Sequence, residues 1–125
     1  MSKKKLFIVE DNATFAEILK DYIERKPLWE VEVFSSGEAC VERAFEDPHA
    51  VIIDYHLDSV NSKALNGIQT LTQLKKISPN AHCIFLSSQE KYGLALQTLQ
   101  YGAEKYIIKN DDAFEEIAKA LEETL

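Results

Sequence analysis

The chain has 125 residues, of which 46% are hydrophobic and 28% charged, as is typical of one globular domain. Its 14 basic and 21 acidic residues give a formal net charge of −7, which disfavours binding to nucleic acid or to anionic membranes. No apolar run approaches the roughly 20 residues of a membrane span, and the N-terminus lacks the apolar segment of a signal peptide. We therefore expect a cytoplasmic protein.

The first third of the chain predicts a strand, a helix and a second strand. An apolar run from Lys5 to Val9 predicts a buried strand that ends at the acidic pair Glu10 and Asp11. Asn12 is a good N-cap for the next helix. The apolar face of that helix has helical spacing and comprises Phe15, Ile18, Leu19 and Tyr22. Glu30 to Phe34 alternates between polar and apolar residues, which is typical of a half-exposed strand at a sheet edge.

A second helix and a third strand lie on either side of Pro48. Ser35 and Glu38 have capping-box spacing, and the helix that they begin is expected to end before Pro48. Its apolar face is predicted to comprise Cys40, Val41, Ala44 and Phe45. Ala50 to Asp54 is apolar without alternation until its last residue, which predicts a strand buried on both faces at the centre of a parallel sheet. Asp54 then lies at the carboxyl end of that strand.

A long polar connection, Tyr55 to Asn66, leads to a third helix that begins near Gly67. The inward side chains of this helix are predicted to be Ile68, Leu71 and Leu74. The apolar run from Cys83 to Leu86 predicts a fourth strand, and it ends at Ser87.

The last third predicts a helix, a strand and a final helix. The fourth helix is predicted from about Lys91 to Tyr101, followed by Gly102 as its C-cap. Its inner stripe is predicted to be Tyr92, Leu96 and Leu99. Lys105 to Ile108 predicts a fifth strand that ends at Lys109. Asp112 has capping-box spacing with the glutamate three residues on. The apolar pattern of the final helix comprises Phe114, Ile117, Ala118 and Leu121.

Five strands that alternate with five helices predict an α/β fold: a doubly wound five-stranded parallel sheet with five helices, which is a flavodoxin-like architecture. We expect residues 1–125 to form one domain. Cys40 and Cys83 lie among apolar residues of the predicted core and lack the spacing of a metal or redox site. They are therefore predicted to be buried, reduced thiols.

The carboxyl ends of parallel strands meet at one edge of a sheet, where open α/β sheets bind their ligands. The four apolar strands would bring three carboxylates, a hydroxyl and an amine to that edge: Glu10, Asp11, Asp54, Ser87 and Lys109. A cluster of carboxylate oxygens suits a hard divalent cation such as Mg²⁺. With the cation bound, Asp54 could act as a nucleophile toward phosphorus, while Lys109 and Ser87 contact the phosphoryl oxygens.

Each of these residues alone also has an ordinary structural interpretation. An acidic pair such as Glu10 and Asp11 is commonly a solvated turn or a helix cap, and Ser87 with Ser88 could cap the next helix. A single Asp or Lys after a strand is commonly structural or solvated. The functional interpretation depends on all four strand ends carrying a useful group at once.

Four ordered motifs make a more specific pattern than any one of these residues. They are Leu6 to Asn12, Val51 to Asp54, Ile84 to Ser88 and Tyr101 to Lys109. Together they span the chain in order, and the pattern resembles the receiver domain of two-component response regulators. The resemblance implies a phosphorylation-activated signalling switch that takes part in a phosphorelay and catalyses its own phosphorylation and dephosphorylation.

The resemblance implies that Asp54 accepts a phosphoryl group from a sensor histidine kinase or a histidine phosphotransfer protein. It also implies a Mg²⁺ ion held directly by Asp11 and Asp54, by Glu10 usually through water, and by the backbone carbonyl of His56. His56 and Gln89 lie where side chains could influence the rate at which water attacks the phosphoaspartate.

The remaining implied roles concern sensing and output. Ser87 is the phosphoryl-sensing hydroxyl, Lys109 is the phosphoryl partner, and Tyr106 is the aromatic switch that turns inward when Ser87 moves. A downstream target would bind the surface formed by the fourth helix, the fifth strand and the fifth helix, without direct contact to nucleic acid or membrane. The side chains of His49 and His82 are assigned no catalytic role.

Two departures from the family pattern stand out. Many receivers have a proline after the last lysine, often with a cis bond, whereas this chain has Asn110 after Lys109. Asp58 occupies a position where the family tends to carry proline, and the loop from Leu57 to Asn66 is longer than usual. We expect that loop to be locally mobile and to gate the site or contact a partner.

Other functions of the same fold agree less well with the residues. Glu10 and Asp11 would repel the phosphate of a flavodoxin-like electron carrier, and the Gly-x-Gly-x-x-Gly motif of a dinucleotide binder is missing. Phosphatases with an aspartyl nucleophile usually place a second Asp where this chain has His56. The alternative that stays open is an interaction module with the receiver fold that binds its partner without being phosphorylated.

Overall fold

Strands and helices alternate as predicted within residues 3–57, 63–88 and 92–125, which are the residues that the computed structural model describes, Tyr92 by its backbone alone. The strands are β1 Lys4–Val9, β2 Trp29–Phe34, β3 Ala50–Asp54, β4 His82–Ser87 and β5 Lys105–Ile108. The α-helices are α1 Ala13–Glu24, α2 Gly37–Glu42, α3 Gly67–Ile77, α4 Tyr92–Gln100 and α5 Ala113–Glu123, and a short 3-10 helix covers Ala44–Glu46. Part of the long loop after β3, with Asp58, and the position of Gln89 lie outside the described residues.

The strands form one parallel sheet in the order β2-β1-β3-β4-β5. This order confirms the doubly wound α/β fold and the placement of β2 at an edge. Every residue of the central strand β3 is buried, as its unbroken apolar run predicts. Among the described residues, no helix combines the length and apolar composition that crossing a membrane requires.

The core has two layers, one on each face of the sheet. Side chains of α1 and α5 pack on one face with Leu6 and Ile8 of β1. Side chains of α2 and α3 pack on the other face with Phe7 and Val9 of the same strand. Because successive strand residues point to opposite faces, β1 is covered on both sides and its ends are fixed in position.

Two predicted apolar positions, on α1 and just after α2, are exposed in the structure, whereas the predicted N-cap of α1 is present. The prediction for Ile18 is wrong, because its side chain is 54% exposed. The buried stripe of α1 is centred on Leu19, and Ile18 lies about 100° around the helix from it. Phe45 is also exposed rather than apolar core, because α2 ends at Glu42 and the chain continues as a 3-10 helix. Asn12 caps α1 as predicted, since its Oδ1 accepts a hydrogen bond from the amide of Phe15 at 3.0 Å.

The predicted capping boxes at Ser35 and Asp112 are both wrong. The N-cap of α2 is Ser36, whose Oγ accepts from the amide of Ala39, and Glu38 instead accepts from the amide of Leu65. Asp112 precedes α5 in a helical backbone conformation that does not aim its side chain at the helix amides, and no side-chain cap bond forms there.

The inner stripe predicted for α4 is wrong for Leu96 and Leu99, which are 59% and 43% exposed. The side chain that α4 buries among those described is Thr98, whose hydroxyl donates to the backbone carbonyl of Ala95. The C-cap prediction at Gly102 is confirmed, because this glycine adopts a left-handed backbone with φ of 110°.

His49 and His82 lie at the end of the sheet opposite Asp54, just before β3 and at the start of β4. Their ring centroids are 5.0 Å apart, and the ring of His49 also contacts the indole of Trp29. Nε2 of His49 lies 3.0 Å from the hydroxyl of Thr124, which ties the end of α5 to the sheet.

The buried thiols should be chemically inert in the folded protein. Burial raises the pKa of Cys40 and of Cys83 to about 12, so that roughly one thiol in ten thousand is ionised near pH 8. We expect negligible alkylation by iodoacetamide in buffer and two adducts per chain in urea, as measured by intact mass. Rapid labelling of the native protein would contradict this burial.

Acid should destabilise the fold through His49. Burial, followed by the charges of Lys4 and His82, lowers the pKa of His49 from its usual 6.5. The unfolded chain then binds the proton at higher pH than the folded chain, so the contribution of His49 to the free energy of unfolding should fall as the pH drops below about 6.5. Urea unfolding followed by the fluorescence of Trp29, the one tryptophan of the chain, measures this effect. Between about pH 7.5 and about pH 5.5 we expect the wild type to lose stability relative to His49→Gln, and a difference between the two that does not change with pH would contradict the assignment.

Candidate functional site

The sheet brings the predicted polar groups to one edge, which we call the carboxyl rim. Glu10 follows β1, Asp54 ends β3, Ser87 ends β4 and Lys109 follows β5. Because β3 lies between β1 and β4, and β4 is paired with β5, these groups come from four adjacent strands of a parallel sheet. The predicted clustering of these polar side chains at one edge of the sheet is therefore confirmed.

Three carboxylates form the centre of the carboxyl rim. Glu10, Asp11 and Asp54 each offer an oxygen atom, and these oxygens all lie within 4.8 Å of one another. Glu10 and Asp54 are 1% and 5% exposed, whereas Asp11 is partly open to solvent. Three hard oxygen ligands at this spacing, with one open side, fit a divalent cation such as Mg²⁺.

The charge of Glu10 is only partly compensated by its neighbours. Burial, followed by its contact with the Asp54 carboxylate, raises the pKa of Glu10 to about 7, although Lys109 acts in the opposite direction. Oε2 of Glu10 also accepts a hydrogen bond from the amide of Asn12 at 3.3 Å. One ammonium and one backbone amide thus do not fully compensate the burial of this carboxylate.

Lys109 is the cation at the carboxyl rim. Its Nζ donates to Oε1 of Glu10 at 2.5 Å and lies 3.7 Å from Oδ1 of Asp54. The backbone amide of Lys109 donates to the carbonyl of Ser87 at 2.8 Å, which continues the β4–β5 ladder to the last residue. No peptide bond in the described ranges is cis, so Lys109 is placed here without the cis bond that many receivers use.

The ammonium of Lys109 also lies over an aromatic ring. Its Nζ is 4.7 Å from the centroid of the Phe15 ring, which belongs to the start of α1. This distance is within the range of a cation–π interaction. The apolar spacing of α1 predicts that Phe15 belongs to an apolar helix face, but periodicity does not predict which group packs against that face.

The loop after Asp54 is fixed by its backbone and by close packing. The amide of His56 donates to Oδ1 of Asp54 at 3.2 Å. A side chain at Gly67 would come within 2.8 Å of the backbone oxygen of Asp54, so this glycine allows α3 to pack directly behind the carboxylate. Asn66 and Gln69 form a capping box at the start of α3, a signal that the sequence carries and that we missed.

The remaining predicted residues lie nearby, and their roles stay predictions. Ser87 is completely buried at the end of β4. Tyr106 is half-buried on β5, where it packs against the layer of α2 and α3. It pairs with Phe85, two residues before Ser87, so both members of the predicted switch lie on adjacent strands. The backbone carbonyl of His56, predicted as a metal ligand, follows Asp54 by two residues.

Removing one carboxylate from the rim should stabilise the metal-free protein. We expect Asp54→Asn to raise the free energy of unfolding by about 1 kcal/mol in EDTA, because it relieves repulsion with Glu10 and Asp11. The asparagine oxygen can keep the hydrogen bond from His56. Asp21→Asn, which changes the charge equally at an exposed position on α1, is the control and should have little effect. Lower stability of Asp54→Asn in EDTA would show that the carboxylates do not repel one another.

Comparison with known proteins agrees with this geometry. Residues 6–122 match the family model of the response regulator receiver domain. The chemotaxis protein CheY of Thermotoga maritima is 28% identical over 107 residues, which are 85% of either chain. CheY of Bacillus subtilis is 25% identical over 122 residues, which are 97% of either chain. The crystal structure of the response regulator domain of Thermotoga maritima CheB is 28% identical, with a TM-score of 0.77 over 98% of this chain and 92% of that one. The chain belongs to the response regulator receiver domain family.

Proposed function

We propose that this chain is a signalling switch in which Asp54 accepts a phosphoryl group from a sensor histidine kinase or a histidine phosphotransfer protein. The observation that carries the proposal is the position of the Asp54 carboxylate, between two other carboxylates and the ammonium of Lys109 at one rim. We propose the whole chain, residues 1–125, as one receiver domain that acts in the cytoplasm.

Glu10, Asp11 and Asp54 would hold Mg²⁺, together with the backbone carbonyl of His56. When bound, the cation supplies positive charge that favours transfer of a phosphoryl group to an anionic acceptor. The high pKa of Glu10 supports this proposal, since it shows that the rim has unmet demand for positive charge. Receiver domains typically bind this metal, and the ligand set of this chain suits it.

In the proposed reaction, an oxygen of Asp54 attacks phosphorus and forms a P–O bond while the P–N bond to the donor histidine breaks. The imidazole leaves with the electron pair of the P–N bond and takes up a proton. Lys109 can contact a phosphoryl oxygen after a short movement, because its ammonium is already 3.7 Å from Asp54. Ser87 would donate its hydroxyl to a second phosphoryl oxygen, and water later hydrolyses the acyl phosphate.

The proposed output surface comprises α4, β5 and α5. The described part of α4 has no acidic or basic residue, and it exposes Leu96 and Leu99. Tyr101, just after α4, is half exposed as well. An uncharged helix with exposed leucines suits a protein partner better than nucleic acid. We propose that the phosphoryl group changes this surface by shifting the positions of Ser87 and Tyr106.

The test of the proposed function is phosphorylation by acetyl phosphate with and without Mg²⁺, read by intact mass. We expect the wild type to gain one phosphoryl group when Mg²⁺ is present and Asp54→Asn to gain none. Asp21→Asn is the matched control and should be phosphorylated like the wild type. If the wild type gains nothing under any condition, the proposal is wrong and the unphosphorylated interaction module becomes the better interpretation.

A further inference from the structure

Lys109 is held by two kinds of contact that behave differently during the proposed reaction. Its ion pairs are with Glu10 and Asp54, whose charges change partners when a cation or a phosphoryl group arrives. Its contact with the Phe15 ring, at 4.7 Å from the centroid, involves neither carboxylate. The aromatic contact is therefore the one that can persist through every step.

The Phe15 ring is itself fixed at two points. The backbone amide of Phe15 donates to the side chain of the N-cap Asn12, which places the first turn of α1 directly after Asp11. Its ring meets the ring of Phe114 in α5 nearly edge-on, with centroids 5.8 Å apart. Phe114 in turn packs against Tyr22, 5.2 Å away and two turns further along α1. Three aromatic rings thus join α1 to α5, and the face of one of them, Phe15, contacts the ammonium of Lys109.

A flexible lysine benefits from such a platform. The Lys109 side chain is a flexible four-carbon chain and is 22% exposed. The backbone of Lys109 makes the last hydrogen bond between β4 and the chain that follows β5, to the carbonyl of Ser87. The face of a ring attracts a cation without requiring one bond direction. The ammonium can therefore move from Glu10 toward Asp54 and remain over the ring.

We propose that Phe15 is a positioning residue, whose ring keeps the ammonium of Lys109 at the carboxyl rim while Asp54 exchanges its partners. This inference rests on the proposed function of Asp54, and it assigns to α1 a part in the reaction beyond packing. The aromatic face, and not the apolar volume, is what the role requires.

Three variants separate positioning from packing. Phe15→Leu keeps an apolar side chain and removes the ring, whereas Phe15→Tyr keeps the ring face. Tyr22→Leu is the matched control, because it removes another aromatic ring of α1 that contacts Phe114 but does not face Lys109. Thermal unfolding of all three gives the loss of stability that each change causes.

Rates of phosphorylation by acetyl phosphate are then measured as a function of donor and Mg²⁺ concentration. We expect Phe15→Leu to lower the saturating rate about fivefold with little change in the concentrations needed for half-saturation. Phe15→Tyr should restore the rate, and Tyr22→Leu should keep it despite a comparable loss of stability. Wild-type rates in Phe15→Leu, an equal loss in Tyr22→Leu, or no rescue by Phe15→Tyr would each overturn the proposal.

A spectroscopic measurement distinguishes failure of this inference from failure of the proposed function. The methylene protons beside the Lys109 ammonium should show upfield ring-current shifts in the wild type and in Phe15→Tyr, and ordinary shifts in Phe15→Leu. Lys109→Arg identifies the resonances by removing them. Ordinary shifts in the wild type would overturn the aromatic platform. If the upfield shifts are present and the wild type gains no phosphoryl group, the contact is real and it is the role in phosphoryl transfer that fails.

Discussion

The burial of Glu10 beside Asp54 is the constraint on which the rest of the carboxyl rim depends. Two carboxylates that are almost completely shielded from water repel each other and lose hydration, which is costly unless positive charge is close. Lys109 supplies one such charge through its 2.5 Å contact with Glu10, and the raised pKa of that carboxyl shows that one is not enough. A second cation is therefore electrostatically favourable at the carboxyl rim, where we propose that Mg²⁺ and the phosphoryl donor bind.

A site of this kind needs a scaffold that does not yield to the repulsion. β3 is buried along its whole length, with apolar layers on both faces of the sheet. Behind Asp54, the absence of a side chain at Gly67 lets α3 pack directly against the strand end. Because the strand cannot move away from its neighbours without opening the core, the carboxylates stay close and the strain remains at the rim.

The sequence predicted the sheet and the gathering of polar groups well, because both follow from unbroken apolar runs that end on charged or hydroxyl side chains. It predicted helix faces less well where two periodic positions were nearly equivalent, as at Ile18, or where the helix ended early, as before Phe45. It could not predict the contact between Phe15 and Lys109, since that pair is separated by most of the chain and is brought together by the packing of α1 against α5. The leucines of α4 were assigned inward because a helical stripe of apolar residues normally faces a core, and here it faces solvent.

The exposed leucines of α4 bear on how the proposed switch works. Thr98 is the one buried residue among the described side chains of α4, so a change in the position of this helix costs little packing energy. Strand β4, which carries Ser87, is in contrast buried from Cys83 to Ser87 and fixed by the core. A phosphoryl group on Asp54 that draws Ser87 toward it would therefore be expected to move α4 rather than the sheet, since a ligand shifts a structure along the direction of least free-energy cost. The exposure of these leucines would then have two effects. Because they do not pack in the core, α4 is weakly bound to its own domain, and because they face solvent, they form an apolar surface that a partner protein can bind.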